Sequence, residues 1–379
     1  MSHQSNPQWP TTPSRISASG QLKTPTLAPT LPPKRSRGFA RKLMLVVLVL
    51  ALIGAVTSGI GYFLLGRETT SFPGAYFNRG QNAIWLEHSW SGQPHNAADY
   101  DGLAATLQAH QIGFVYAHVG PLSSDGTIDP RLAPFAKQLA FALHHRMPGL
   151  RILAWIGQLE AASGQPASGT VDLSSSSVRQ QIALASRHFV ADFGFDGVHY
   201  DIEPITNNNA HFLDLLDVTH SELPTGAILS ISAEKWAPSA RIAQMLFDQK
   251  QASSWWTTYY YQQVAAHTDQ IVLLPYNSAM PNADLYRIFV KQQVQHVLEA
   301  ARAAKNSPSV LVGIPTYPGN DKWFHDSAEN MDSGLRGVIS GLNSEDASSP
   351  FVGVAIYRYG TTQPSSWQTY DKLWGTAKG

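Results

Sequence analysis

Beyond residue 80, short apolar runs alternate with longer stretches in which apolar side chains return every three or four positions. The runs have the length and composition of strands. They are Ala83-Ile84-Trp85-Leu86, Phe114 to His118, Ile152 to Ile156, Gly197 to Glu203, Ile228 to Ser232, Ile271 to Leu274, Val310 to Ile314 and Val352 to Ile356. Between them lie amphipathic stretches. Val178, Ile182, Ala185 and Phe189 share one face of a helix ending near Phe193, and Phe212 to Val218 begins another. Strand followed by helix, repeated, predicts parallel βα units. Eight strands in roughly 300 residues is the count of a (β/α)8 barrel, so the predicted class is α/β with a TIM-barrel architecture over residues 81–379.

The N-terminal part follows a different pattern. Residues 1–42 are rich in Ser, Thr, Pro and Gln without apolar periodicity and end in a basic cluster, Lys34, Arg35, Arg37, Arg41 and Lys42. That composition predicts a disordered tail. Leu43 to Leu65 is uncharged and apolar, long enough for a helix of bilayer length. The basic excess on its N-terminal side predicts a cytoplasmic tail and an exported C-terminal domain, hence a single-pass protein of the cell membrane. An uncleaved anchor is favoured over a signal peptide, because the run exceeds a usual signal core and no Ala-x-Ala site follows. Residues 66–80 read as a short linker.

Composition narrows the chemistry. The 379 residues carry no formal net charge, so no nucleic-acid partner is expected. There is no cysteine, which excludes disulfides, thiolate metal sites and cysteine nucleophiles. Glycine fingerprints for phosphates or dinucleotides and a Gly-x-Ser-x-Gly elbow are missing, and His144-His145 lacks the spacing of a helical zinc pair. No metal or cofactor is therefore expected. Ten tryptophans and fourteen tyrosines exceed what a barrel core requires, and flat aromatic faces suit stacking on sugar rings.

The chemistry concentrates in Asp196-Gly-Val-His-Tyr-Asp-Ile-Glu-Pro204. On a strand, His199, Asp201 and Glu203 share one face. Two carboxylates so close split their pKa values, which lets one keep a proton near neutral pH.

This run resembles the Asp-Gly-x-Asp-x-Asp-x-Glu signature that ends the fourth barrel strand in glycoside hydrolase family 18, the chitinase family. Asp196, Gly197, Asp201 and Glu203 match, whereas His199 stands in place of the middle aspartate. Leu274-Pro275-Tyr276-Asn277 and Gly313-Ile314-Pro315-Thr316-Tyr317 resemble the family's sixth and seventh strand ends. Ala154-Trp155-Ile156-Gly157 keeps one glycine of the third-strand pattern, and Tyr357 stands nearest the tryptophan that usually floors the sugar pocket. The resemblance implies a carbohydrate substrate with β-linked N-acetylglucosamine, cleaved with help from its own acetamido group. Glu203 would be the acid, Asp201 would orient the acetamido group, Tyr276 would donate to its oxygen, and Asn277 would assist. His199 would hydrogen-bond Asp201 and, if protonated, keep it ionised; Asp196 would support the strand. Substrate contacts are expected from Trp155, Trp236, Tyr317, Tyr357, Glu87 and His118, with Trp90 a further candidate platform. Trp255-Trp256 and Tyr259-Tyr260-Tyr261 either edge the cleft or bury a helix. Two alternatives stay open at this point: a barrel that binds glycans without turnover, and a hydrolase of a non-acetylated glycan that uses Glu203 with Glu234.

Overall fold

A computed structural model describes residues 72–161, 167–239, 254–344 and 349–375. Eight parallel strands close on one another: β1 (Asn82–Leu86), β2 (Ile112–Pro121), β3 (Arg151–Glu160), β4 (Gly197–Glu203), β5 (Ile228–Ala233), β6 (Gln270–Leu273), β7 (Ser309–Pro315) and β8 (Phe351–Tyr357). Each pairs with the next, and β1 pairs with β8, so the sheet has no free edge. A two-residue strand, Thr170–Val171, adds to the end of β3. Among the described residues a helix follows each barrel strand: α1 (Ala97–Ala109), α2 (Ala136–Arg146), α3 (Ser176–Phe193), α4 (Ala210–Glu222), α5 (Thr258–Ala266), α6 (Ala283–Ala303), α7 (Met331–Leu342) and α8 (Pro364–Leu373).

Local sequence sets the helix ends. Side chains of Asn96, Ser175, Asn209, Thr257, Asn282 and Asn330 accept from the free N–H groups that open α1, α3, α4, α5, α6 and α7. Gly194 stops α3 with φ of 79°, a left-handed conformation that costs glycine little. The buried face of α3 carries Val178, Ile182 and Phe189, as the helical spacing requires.

Alternation along the strands produces two cores. Outward side chains such as Val198, Tyr200 and Ile202 of β4 pack beneath the helices in the larger cluster. The Tyr200 hydroxyl lies 2.7 Å from Ser186 Oγ of α3 and 2.8 Å from Thr219 Oγ1 of α4, so its one polar atom is satisfied there. Inward side chains fill the barrel itself, with Trp85, Tyr116, Leu153, Trp155, Leu311 and Ala355 among them. Each large apolar side chain so buried contributes about 1.5–3 kcal/mol.

The base of the barrel is tied by Asn78, whose side chain donates to the Trp374 carbonyl at 3.0 Å and accepts from Asn82 at 2.9 Å. The stretch read as linker therefore joins the domain from Phe72 on. Residues 43–65, read as a membrane helix, lie outside the described residues. Among the described residues no helix is long and apolar enough to cross a membrane. The single-pass membrane location is corrected accordingly: nothing in the structure supports it.

Candidate active site

β4 points His199, Asp201 and Glu203 into the barrel, at increasing height toward its C-terminal mouth. The register places His199 opposite Trp155, Asp201 opposite Gly157 and Glu203 opposite Leu159 of β3. A Cβ at Gly157 would lie 3.5 Å from the Asp201 carbonyl oxygen and from Trp155 Nε1, ordinary van der Waals contact, so the site does not require glycine there. A cleft of about 670 Å³ opens above, lined by Asp201, Glu203, Tyr276, Asn277, Tyr317 and Tyr357 among others. It sits at the C-terminal face, where barrel enzymes build their sites.

Asp201 is anchored from below. Trp155 Nε1 donates to its Oδ2 at 2.9 Å, and the Ser232 side chain bonds it from β5. Burial raises its carboxyl above the usual carboxylate range, against the pull of those two donors. Glu203 is raised well above its ordinary value, chiefly by burial, then by the nearby charges of Asp201 and Glu234, with Lys235 opposing. Glu234 follows β5. Burial pushes it up to about 7, against Lys235 and hydrogen bonds from Ser254 and the Ile205 N–H. Asp201 and Glu203 line the cleft, and Glu234 is close enough for Glu203 to feel its charge, so repulsion favours holding at least one proton among the three near neutral pH. Tyr276 is buried, and its hydroxyl is kept protonated by that burial and by its tyrosine and carboxylate neighbours. It stacks on Tyr357 with ring centroids 5.7 Å apart. Tyr317 donates to Asn277 Oδ1 at 2.8 Å and so bridges the ends of β6 and β7.

His199 departs from the sequence expectation. It is fully buried, with Nδ1 2.8 Å from Ser230 Oγ and Nε2 3.1 Å from Ser232 Oγ. It stacks on Tyr116 with centroids 4.0 Å apart. Burial lowers its pKa to about 3, so the ring is neutral at ordinary pH. It therefore reaches Asp201 through Ser232 rather than directly, and does not act as a cation beneath it. Asp196 lies at the opposite, N-terminal end of β4. It accepts from the Ile152 N–H at 2.8 Å and pairs with His144 at 2.8 Å and Arg151 at 3.1 Å. Its place is the barrel base, not the cleft.

The aromatic candidates divide. Trp155 is 8 % exposed and holds Asp201 rather than offering a free face. Trp236 is turned away from the cleft lining: it stacks on His296 of α6 at 3.6 Å and donates to Thr258 Oγ1 at 2.9 Å. Trp90 stacks on His95. Trp255, Trp256, Tyr260 and Tyr261 are buried, which fits the helix-burial reading, whereas Tyr259 of the same cluster is 64 % exposed. Trp256 also donates to the Ile205 carbonyl at 2.9 Å, just past Glu203. Glu87 pairs with Arg358 at 3.7 Å and accepts from the Gly360 N–H at 2.6 Å. His118 packs edge-on against Trp155, and burial lowers its pKa to about 4.

Several residues were not anticipated. Trp85 packs against both His199 and Tyr357 from β1, inside the barrel. Arg358 and Thr361 line it beyond β8. Ser230 and Ser232 carried a readable signal, since two serines alternate along an otherwise apolar strand and must share one face.

No family model matches the sequence, and no curated protein matches it either. Solved structures do share the fold. The C-terminal domain of a putative chitinase from Desulfitobacterium hafniense DCB-2 is 15 % identical, with a TM-score of 0.53 over 79 % of this chain and 99 % of that one. The Bacillus cereus spore cortex-lytic enzyme SleL is 12 % identical, with a TM-score of 0.52 over 79 % of this chain and 75 % of that one. The class V chitinase from Nicotiana tobaccum is 11 % identical, with a TM-score of 0.50 over 78 % and 99 %. The structural neighbours are thus chitinase-type glycoside hydrolases on a parallel eight-stranded barrel. At such identities the likeness is one of fold.

Proposed function

We propose that this chain is a glycoside hydrolase resembling family 18, cleaving glycans of β-linked N-acetylglucosamine with retention of configuration. The observation that carries the reading is the pairing of Asp201 and Glu203 in one cleft beside Tyr276, while β7 ends in Pro315-Thr316-Tyr317 and brings no carboxylate. A conventional glycosidase sets two carboxylates across the bond; the substrate-assisted route needs one proton donor. In the proposed step Glu203 gives its proton to the glycosidic oxygen as that oxygen leaves the anomeric carbon. The acetamido oxygen of the same sugar attacks that carbon and closes an oxazolinium ring. Asp201 faces the acetamido N–H and offsets the developing positive charge, and Tyr276 donates to the acetamido oxygen. Water then opens the ring, with Glu203 taking back a proton.

The full chain, Glu203→Gln and Asp201→Asn are to be assayed on chromogenic N-acetylglucosamine oligomers, with a thiazoline analogue as competitor. Turnover by the parent alone, inhibited by the thiazoline, supports the reading. Equal turnover by Glu203→Gln refutes it. A second reading draws on Glu234, whose charge is felt by Glu203: a hydrolase of unsubstituted glycans with Glu234 as nucleophile. Its carboxyl is already occupied by the Ile205 N–H and Ser254, which argues for a holding role. Activity on unsubstituted glucans, lost in Glu234→Gln, would favour that alternative. Saturable glycan binding without turnover would favour a binding barrel.

A further inference from the structure

The loop leaving β6 carries Tyr276 and Asn277 into the cleft and then turns sharply. Asn277 and Ala279 both have positive φ, 54° and 57°. Asparagine adopts that region readily, but alanine is strained there, and such backbone persists only where its surroundings over-determine it. The surroundings here centre on one carboxyl. Ser278 lies between the two strained residues and is 1 % exposed. Its N–H and its hydroxyl both donate to Glu329 Oε1, at 3.0 and 2.9 Å. The Asn277 N–H also bonds this carboxyl.

Glu329 comes from the connection between β7 and α7 and is itself 1 % exposed. Its other oxygen is buried with no hydrogen-bond partner among the described residues, and so is the hydroxyl of Tyr286 on α6. Burial pushes the Glu329 carboxyl up to about 7, against the Ser278 donors and Lys235. The ionisable groups that feel its charge are Lys235 beyond β5, Tyr286 on α6 and Tyr317 beyond β7. A buried carboxyl is costly, and an apolar side chain would fill the same space more cheaply. What an apolar side chain could not do is receive three donors from the Asn277–Ser278 turn. Tyr317 clamps the same turn from the cleft side through Asn277 Oδ1.

We propose that Glu329 is a positioning residue that holds the strained loop from Tyr276 to Ala279 and thereby sets where Tyr276 and Asn277 meet the sugar. The role in sugar placement rests on the glycosidase reading; the role in holding the loop does not. The test uses the full chain as parent, Glu329→Gln, Glu329→Ala and Ser278→Ala. Two quantities are read: hydrogen exchange of a peptide over residues 274–282, and KM and kcat on an N-acetylglucosamine oligomer. Glutamine keeps an acceptor for Ser278, so Glu329→Gln should retain protection of that peptide. Glu329→Ala should lose protection there by about tenfold or more and lower kcat/KM similarly, through kcat as well as KM because Tyr276 acts on the acetamido oxygen, and Glu329→Gln should keep both near the parent. Ser278→Ala, which loses one of the donors, should fall between. Unchanged exchange over 274–282 in Glu329→Ala overturns the proposal, as does protection lost evenly around the barrel. If Glu329→Ala does not fold, Glu329→Gln and Ser278→Ala decide by the same exchange readout. A parent without turnover would count against the glycosidase reading alone, because exchange still reports on the loop.

Discussion

Trp155→Phe removes one donor from Asp201 and leaves an aromatic ring in the barrel. The indole N–H lies 2.9 Å from Asp201 Oδ2, in a position 8 % exposed. A hydrogen bond to a charged acceptor is worth about 1.5–3 kcal/mol. If Asp201 must be aligned and ionised to stabilise the acetamido group, that loss appears in the transition state, and kcat should fall about 10- to 100-fold. The bond from Ser232 remains, so the effect should stop short of the loss in Asp201→Asn. The direction of the pH shift follows too. Burial raises Asp201 and the Trp155 bond lowers it, so removing the bond raises it further. The acid limb of kcat, below which Asp201 becomes protonated, should move to higher pH. The assay is initial rate on a chromogenic N-acetylglucosamine oligomer across pH, with thermal unfolding as control. Stability should drop by no more than about 1–3 kcal/mol. Ser232→Ala and the double variant complete a cycle, and the two losses should not add, because both donors serve one carboxyl. A kcat for Trp155→Phe within about twofold of the parent, with Asp201→Asn inactive, would refute the reasoning.

Glu234→Gln removes a negative neighbour that raises Glu203; activity that needs protonated Glu203 is lost as pH rises through its pKa, so the alkaline limb should move to lower pH. His199 is neutral in the folded chain, with its pKa lowered to about 3 from 6.5. A depressed value means stability is complete above the unfolded pKa and is lost as pH falls, so the melting temperature should decline from about pH 6.5 downward, and less steeply in His199→Gln. Asp196→Ala should cost about 1–3 kcal/mol of stability, measured by denaturant unfolding, because the Ile152 N–H and His144 lose their acceptor. Its kcat should stay within about twofold of the parent, since it sits at the barrel base.

The strand–helix alternation, the eight strands and the shared face of His199, Asp201 and Glu203 were all legible in the sequence. They follow from local rules: period-two burial on strands, period 3.6 on helices, and capping residues at helix starts. Tyr276, Tyr317 and Tyr357 were legible as cleft residues because each stands at or just past the C-terminal end of a strand, and a parallel barrel gathers all such ends at one face. Sequence alone assigned the right face but not the partners. His199 looked like a neighbour of Asp201, yet Ser230 and Ser232 of the adjacent strand take both its nitrogens. Trp155 and Trp236 looked alike as sugar platforms, yet one holds a carboxylate inside the barrel and the other packs on a helix outside the cleft lining. Glu329 carried no local signal at all, because its partner Ser278 is 51 residues earlier in the chain. Strand order and face are short-range properties written every few residues. Which polar atom meets which across the barrel depends on register and on loop paths that close long after either residue is laid down, and only the folded barrel decides it.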